Sequence, residues 1–269
     1  MLIVAERINS TRESIAKAIR EQDTAFIQDE ARQQSEAGAD YLDVNAGAFL
    51  GEESKYLCWL VKIVQDVTDK PLCLDTSNAE ALECALKLCK VKPMLSSISL
   101  EKKRYDSFLP IVKASGCKVV ALCVDDSGIP HTADARTAVA GRLISSLLAE
   151  GVALDNIYVD VLAQAVSTDD TSGGAAFETI RRVNASHPGV HTILGLSNVS
   201  FGLPNRRLIN QNFMSMCMEA GLDSVIADPK DKKLMANIFA ANLLLGKDRH
   251  GMGYIKAFRA GKLEATEKL

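Results

Sequence analysis

The chain repeats one pattern from its first residues to residue 228: a short apolar run of strand character, then a stretch with helical periodicity. The eight runs are residues 2–8, 40–47, 71–76, 93–98, 118–125, 157–162, 191–197 and 223–228. Several, such as KVVALCVD, are apolar at consecutive positions, which is typical of parallel strands covered on both faces. Eight strand–helix repeats within 269 residues predict an α/β fold, a single (βα)8 TIM barrel. A doubly wound open sheet is the alternative.

The stretches between the runs carry helix signals of two kinds. Leu57, Leu60, Val61 and Val64 follow the i, i+3, i+4, i+7 spacing of a buried helix face. Four stretches reach a glycine shortly before the next run, which is a helix stop signal, in SEAGADYLDV, KASGCKVVAL, LAEGVALDNIYVDV and MEAGLDSVIAD. No linker or low-complexity segment divides the chain. We therefore expect one domain over residues 1–269, whose polar end IKAFRAGKLEATEKL frays.

Composition excludes several classes of function. The net charge is −3, which argues against a nucleic-acid or membrane-surface binder, and no run approaches the ~20 apolar residues that span a bilayer. The start lacks the basic region of a signal peptide. The seven cysteines include no CxxC pair and mostly lie in apolar runs, which predicts reduced, buried thiols in a cytoplasmic protein and no zinc site.

Polar side chains follow nearly every predicted strand, where the active sites of such barrels form. They are Glu6, Asn9, Asp43, Asn45, Asp75, Asn78, Ser96, Ser97, Asp125, Asp126, Asp160, Gln164, Ser197, Asn198 and Asp228. Each alone could cap the following helix. The set contains carboxylates and amides but no histidine, which does not favour a metal site. A ring of acceptors and amides suits a flat heterocycle rich in N–H donors, such as a pterin, whose amino edge a buried carboxylate can bind with two hydrogen bonds.

Five motifs in order on these strands carry a resemblance to a known family. They are ERIN (6–9), LDVNAG (42–47), LCLDTSN (72–78), YVDVL (158–162) and LGLSNVS (194–200), the last followed by an Asn-Arg pair at 205–206. With these motifs the chain resembles the pterin-binding methyltransferases that move a methyl group between N5 of tetrahydrofolate and the cobalt of a corrinoid protein. The resemblance runs from Met1 to about residue 245. It implies a folate substrate, no bound metal and a homodimer.

The resemblance also implies roles for individual residues. Asp75 and Asp160 match the acids that hold the pterin edge, and Asn198 matches the catalytic amide placed near N5. Arg206 matches a residue that meets the folate tail. Ser96 stands at a pterin-binding position where the acetogenic branch has asparagine, so the chain is more similar to enzymes of methyl-donor catabolism, as in the glycine betaine system. There the expected direction is from methyl-corrinoid and tetrahydrofolate to 5-methyltetrahydrofolate.

A further motif bears on the source of the corrinoid. DRHGMG at 248–253 matches the D-x-H-x-x-G pattern of cobalamin-binding domains, but the sixteen residues after Gly253 are too few for such a domain. We therefore expect a surface turn after the last helix there, and a corrinoid that a separate partner protein supplies. A basic rim could steer an acidic partner or be simply solvated: Arg206, Arg207, Lys230, Lys232 and Lys233. A dihydropteroate synthase-like enzyme and a non-catalytic folate-binding scaffold are the alternative functions.

Overall fold

A computed structural model describes residues 1–263. Its eight strands are β1 (Leu2–Asn9), β2 (Tyr41–Asn45), β3 (Leu72–Asp75), β4 (Met94–Leu100), β5 (Lys118–Asp125), β6 (Ile157–Asp160), β7 (His191–Ile193) and β8 (Ser224–Ala227). All pair in parallel, in the order β7-β6-β5-β4-β3-β2-β1-β8. The two edges meet where Ile226 N donates to Leu194 O at 2.9 Å and Gly195 bridges Ile226. The predicted barrel is therefore confirmed, and the open sheet is excluded.

Helices cover the outside of the barrel. They are α1 (Glu13–Glu21), α2 (Thr24–Glu36), α3 (Glu53–Gln65), α4 (Ala79–Leu86), α5 (Lys102–Ser115), α6 (Ala133–Ala149), α7 (Ser172–Ser186), α8 (Arg206–Ala220), α9 (Lys232–Leu244) and α10 (Met252–Arg259). The predicted glycine stops are confirmed: α5 and α8 end at Gly116 and Gly221, with φ of 57° and 108°. A Cβ atom at Gly221 would also lie 2.5 Å from Asn184 Nδ2, so this stop requires glycine.

The interior of the barrel consists of two layers with opposite chemistry. The lower layer is a buried apolar cluster formed by Val4, Cys73, Met94, Val120, Tyr158 and Ile193. Residues two positions further along a strand point to the same side of the sheet. The upper layer, towards the carboxyl ends of the strands, is formed by Glu6, Asp43, Asp75, Ser96, Asp160 and Gly195. The inward-facing side of the strands is therefore apolar in the buried lower layer and polar in the upper layer, at the open end of the barrel.

The cysteines depart in part from expectation. Cys58 on α3 and Cys84 on α4 form a disulfide, so the prediction of reduced thiols is wrong for this pair. The packing of α3 against α4 brings together two sulfurs that lie 26 residues apart in the chain. The remaining five cysteines are free, and four of them are buried.

The end of the described chain is more ordered than the motif analysis suggested. A tenth helix begins inside DRHGMG at Met252, so the expected turn comes before the last helix and not after it. Asp248 caps α10 by accepting from Gly253 N at 2.9 Å and Tyr254 N at 2.8 Å, and His250 is exposed. The predicted fraying covers 255–269, of which 255–259 belong to α10 and 264–269 lie outside the described residues. Over residues 1–263, no helix has the length and apolar character that a bilayer crossing requires.

Candidate active site

A cavity of about 260 Å³ opens at the carboxyl ends of the strands. Its lining includes four of the predicted site residues, namely Asp75, Ser96, Asp160 and Asn198. A second cavity, of about 550 Å³, shares Glu6, Thr11, Arg12 and Ser197 with the first and extends outward to Arg206. The shared residues make the two cavities one recess, with a narrow polar floor and a wider rim.

Asp75 ends β3 with its carboxylate held on one side. Asn45 Nδ2 donates to Asp75 Oδ2 at 2.9 Å, while Asn45 Oδ1 accepts from Ser10 Oγ at 2.7 Å and from Gly47 N at 3.0 Å. The other carboxylate oxygen has no hydrogen-bond partner among residues 1–263. Burial raises the pKa of Asp75, and the bond from Asn45 and the nearby charge of Arg104 oppose that rise. The site thus presents a desolvated acceptor in a fixed orientation.

Asp160 ends β6 in a similar state. Its Oδ1 accepts from Leu162 N at 2.9 Å, and its second oxygen has no partner among the described residues. Burial raises the pKa of Asp160 to about 6, although the Leu162 bond and the charge of Arg136 act in the opposite direction. A carboxylate with this pKa is largely ionised at neutral pH and gains from a ligand that donates hydrogen bonds to it.

Two further acids of the upper layer lack a role in the sequence analysis. Asp43 is 4% exposed, bonds to Asn9 and Cys73, and has a pKa well above its usual range because of burial and of the neighbouring Asp75. Glu6 accepts from Arg12 Nη2 at 3.0 Å and from Ser197 Oγ at 2.9 Å, and burial raises its pKa as well. Both belong to the ring of polar residues named from the sequence, and the period of two along their strands places them on the cavity wall.

Asn198 lies in a 3-10 helix, Leu196–Ser200, rather than at the end of β7, which stops at Ile193. The side-chain amide of Asn198 is exposed and has no hydrogen-bond partner among residues 1–263. Its Nδ2 would lie 3.1 Å from a Cβ atom at position 195, so Gly195 leaves the room in which this amide sits. The cavity therefore contains one neutral amide that is not committed to the protein itself.

Arg206 braces the turn that carries Asn198. Its Nη2 donates to Ser197 O at 2.5 Å and its Nε to Ser200 Oγ at 3.1 Å. It also lines the wider cavity, with its guanidinium carbon 5.8 Å from the centre of the Phe201 ring. From the other side, the bond of Glu6 to Ser197 fixes the same turn. The position assigned to the folate tail is thus also a support for Asn198.

Other members of the predicted ring serve the scaffold. Asn78 caps α4, and its Oδ1 accepts from Glu80 N at 3.0 Å. Asp125 pairs with Arg142, and Asp126 Oδ1 accepts from Lys102 N at 3.1 Å. The capping interpretation is therefore right for Asn78. Within residues 1–263, no group of three or more His, Cys, Asp and Glu side chains is arranged to hold a metal ion.

Comparisons with known proteins agree with this geometry. The sequence profile described as "Pterin binding enzyme" matches residues 5–228, which include the whole upper layer. A methylcorrinoid:tetrahydrofolate methyltransferase of Eubacterium limosum is 37% identical over 265 residues, which cover 98% of each chain. A methionine synthase of Mycobacterium tuberculosis is 29% identical over 84% of this chain, which spans only 20% of that protein.

A solved structure extends the likeness to the fold. A dihydropteroate synthase of Clostridium difficile, crystallised in the presence of pteroic acid, superposes with a TM-score of 0.70 at 17% identity, over 91% of this chain and 96% of that one. At that identity the likeness concerns the barrel and not the reaction. The profile match and the relative at 37% identity bear out the resemblance that the motifs carry. The chain belongs to the family of pterin-binding enzymes.

Proposed function

We propose that this chain is a methyltransferase that moves a methyl group from a methylated corrinoid to N5 of tetrahydrofolate. The observation that carries the proposal is the uncommitted amide of Asn198, which lines the same cavity as two buried carboxylates, each with a free oxygen. The relative from Eubacterium limosum, whose name states this reaction, covers the chain from end to end. Dihydropteroate synthases share only the fold at 17% identity, and no feature of this cavity favours their reaction.

The donor set of the cavity fits a pterin. The free oxygens of Asp75 and Asp160 can accept from the N3–H and 2-amino groups of the ring, and a donor edge relieves the desolvation that raises both pKa values. Ser96 adds a hydroxyl from the neighbouring strand, since Asp75 pairs with Ser96 in the register of β3 and β4. The wider cavity at the rim leaves room for the rest of the folate.

Methyl transfer changes the charge on N5, and Asn198 is suited to follow that change. In the forward direction the lone pair of N5 forms the new bond to carbon while the methyl–corrinoid bond breaks, and N5 then releases its proton to solvent; in reverse, N5 takes up a proton from solvent as the methyl group departs. An amide can accept through Oδ1 and donate through Nδ2 while it remains uncharged. The corrinoid supplies the methyl group. Glu6 and Arg206 stabilise the turn through their bonds to Ser197, and they thereby keep the Asn198 amide in position before and after the methyl group is transferred.

The finer assignments follow from the resemblance. With serine at position 96, we place the chain in methyl-donor catabolism of the glycine betaine type, after a first methyltransferase has loaded the corrinoid. The corrinoid resides on a separate protein that docks over the open mouth of the barrel. We further expect a cytoplasmic homodimer.

An anaerobic assay with free methylcobalamin and tetrahydrofolate tests the proposal. We expect 5-methyltetrahydrofolate to form together with the Co(I) spectrum, and Asp75→Asn to abolish most of this product at low folate concentration. Folate binding without transfer, even with a cognate corrinoid protein, would support a folate-binding scaffold. Formation of dihydropteroate and pyrophosphate from a dihydropterin pyrophosphate and p-aminobenzoate would instead support the dihydropteroate synthase reaction.

A further inference from the structure

Arg136 is the largest fully buried side chain of the described residues, at 0% exposure, and it lies in the first turn of α6. Its guanidinium makes no ion pair within residues 1–263. It donates instead through Nε to Pro130 O at 3.1 Å and through Nη1 to Leu162 O at 2.9 Å and Val161 O at 3.4 Å. Its Nη2 bonds to Gln164 Oε1. A buried charge is costly without such partners, and here they all belong to the loops after β5 and β6.

One peptide group links Arg136 to Asp160. The carbonyl of Val161 accepts from the guanidinium, while the N–H of the same peptide, on Leu162, donates to Asp160 Oδ1. The C=O and N–H of a trans peptide point in opposite directions, so this group lies between the cation and the carboxylate, and hydrogen bonds in such a chain polarise each other. Leu162 has φ of 65°, a backbone conformation that leucine adopts only where its surroundings hold it.

We propose that Arg136 is a positioning residue for Asp160. It orients the Asp160 carboxylate towards the cavity through the 161–162 peptide, and it supplies the buried positive charge near that carboxylate. The inference rests on the proposed function, because the ligand assigned to Asp160 is the pterin. Arg136 does not line the cavity, so it acts through Asp160 and not on the substrate.

The charged groups around Asp160 allow the effect of Arg136 to be measured as a change in the pKa of Asp160. Arg136 lowers the pKa of Asp160, against the burial that raises it. Cys123 on β5 and Asp169 in the loop after β6 face Arg136, and the thiol of Cys123 also faces Asp160. Across the cavity stand Glu6, Asp43 and Asp75. The other cation of the cavity wall, Arg12, is paired with Glu6, so loss of Arg136 removes the positive charge that acts on Asp160.

The test is the affinity for tetrahydrofolate measured at pH values on both sides of 6. For Arg136→Gln we expect the pH midpoint of binding to rise by about one unit or more, since loss of a nearby opposite charge shifts a pKa by that amount. Arg136→Lys should keep a midpoint near that of the wild type but bind more weakly, because an ammonium group cannot make the four bonds of the planar fork. In an Asp160→Asn background, Arg136→Gln should leave the midpoint where it is. Arg142→Gln, on the same helix but exposed, is the matched control and should change nothing.

A folded Arg136→Gln protein with the wild-type midpoint and affinity would overturn the inference. Should that variant not fold, Gln164→Ala removes one partner of the guanidinium and keeps its charge; weaker binding at an unchanged midpoint supports the inference, and unchanged binding contradicts it. Carbon NMR of the Asp160 carboxyl, assigned with Asp160→Asn, reads the same pKa in the absence of folate. Failure of the wild type to bind folate would therefore refute the proposed function, while the NMR shift still decides the role of Arg136.

Discussion

The lower and upper layers of the barrel interior lie on the same strands, two residues apart, yet one stabilises the fold and the other provides polar groups for binding. Met94 of the lower layer is fully buried among apolar side chains, whereas Ser96 above it lines the cavity. Cys73 and Asp75 form a second such pair on β3. The lower layer stabilises the fold by removing apolar surface from water. The upper layer holds carboxylates whose raised pKa values record the cost of their burial, so the molecule gives up stability at the mouth in exchange for binding groups.

The largest effect should come from the lower layer. Met94→Ala leaves a cavity in a close-packed cluster and should lower the free energy of unfolding by about 2–5 kcal/mol. Folate affinity of the folded protein should be nearly unchanged. Ser96→Ala, two residues along the same strand, is the matched control and should change stability little while weakening folate binding. Denaturant unfolding and calorimetry measure both quantities; equal stability losses for the two variants would remove the distinction between the layers.

The next effect should appear in the rate of methyl transfer. Asn198→Ala removes an amide that interacts with N5 as its charge changes, which corresponds to about 10²–10³-fold in turnover. Folate affinity should fall much less, because the acids that hold the ring remain. Asn212→Ala on α8 removes an exposed amide that lines neither cavity and serves as the control. A collapse of folate affinity at an unchanged rate for the bound complex would make Asn198 an anchor and not a catalytic group.

A smaller effect separates binding from stability. Asp75→Asn keeps the shape of the side chain and the bond from Asn45 but removes the charge that a pterin edge meets. Loss of a charge-assisted hydrogen bond should weaken tetrahydrofolate binding about 10–100-fold. The free energy of unfolding should not fall, because a desolvated charge is removed with it. Titration calorimetry and thermal unfolding check the two halves, with the exposed Asp66→Asn as control.

The smallest and most specific effect is a pH dependence. The pKa of Asp160 is about 6 in the folded chain, above its value in an unfolded chain. The neutral form is therefore the one that folding favours: its contribution to stability is complete below the unfolded pKa and is lost as the pH rises through about 6. Folate binding has the opposite sign, since it uses the ionised form and should weaken as the pH falls below 6.

Asp160→Asn isolates this contribution. The unfolding free energy of this variant should lack the pH dependence that the wild type shows between the unfolded and the folded pKa of Asp160. Below pH 6 the affinity for folate should fall less steeply than in the wild type, by about tenfold per pH unit, because binding is no longer linked to the proton of Asp160. Identical pH profiles for variant and wild type, in both measurements, would place the titrating group elsewhere in the upper layer.

Much of the architecture could be predicted because it rests on local patterns. All eight strands lie where the apolar runs occur, and the helix that contains Leu57, Leu60 and Val61 buries all three. Gly116 and Gly221 end their helices in the left-handed region, as the sequence signal indicated. These features depend on side-chain period and on backbone freedom, which a few neighbouring residues determine. The positions of Asp75, Ser96 and Asp160 in one cavity follow from the same period, given parallel strands in a barrel.

Long-range contacts decided the rest. Glu6 bonds to Ser197 across 191 residues, and this bond, with that of Arg206, places the turn of Asn198 beyond the end of β7. The bond from Asn45 to Asp75 and the link from Arg136 to Asp160 likewise join residues 24 to 30 positions apart, and the free state of the Asn198 amide depends on the same tertiary packing. The sequence by itself determined the strands, their inward faces and the family of the chain. Only the tertiary structure decided which polar groups are held and which stay free, because hydrogen-bond satisfaction depends on neighbours that no local pattern can name.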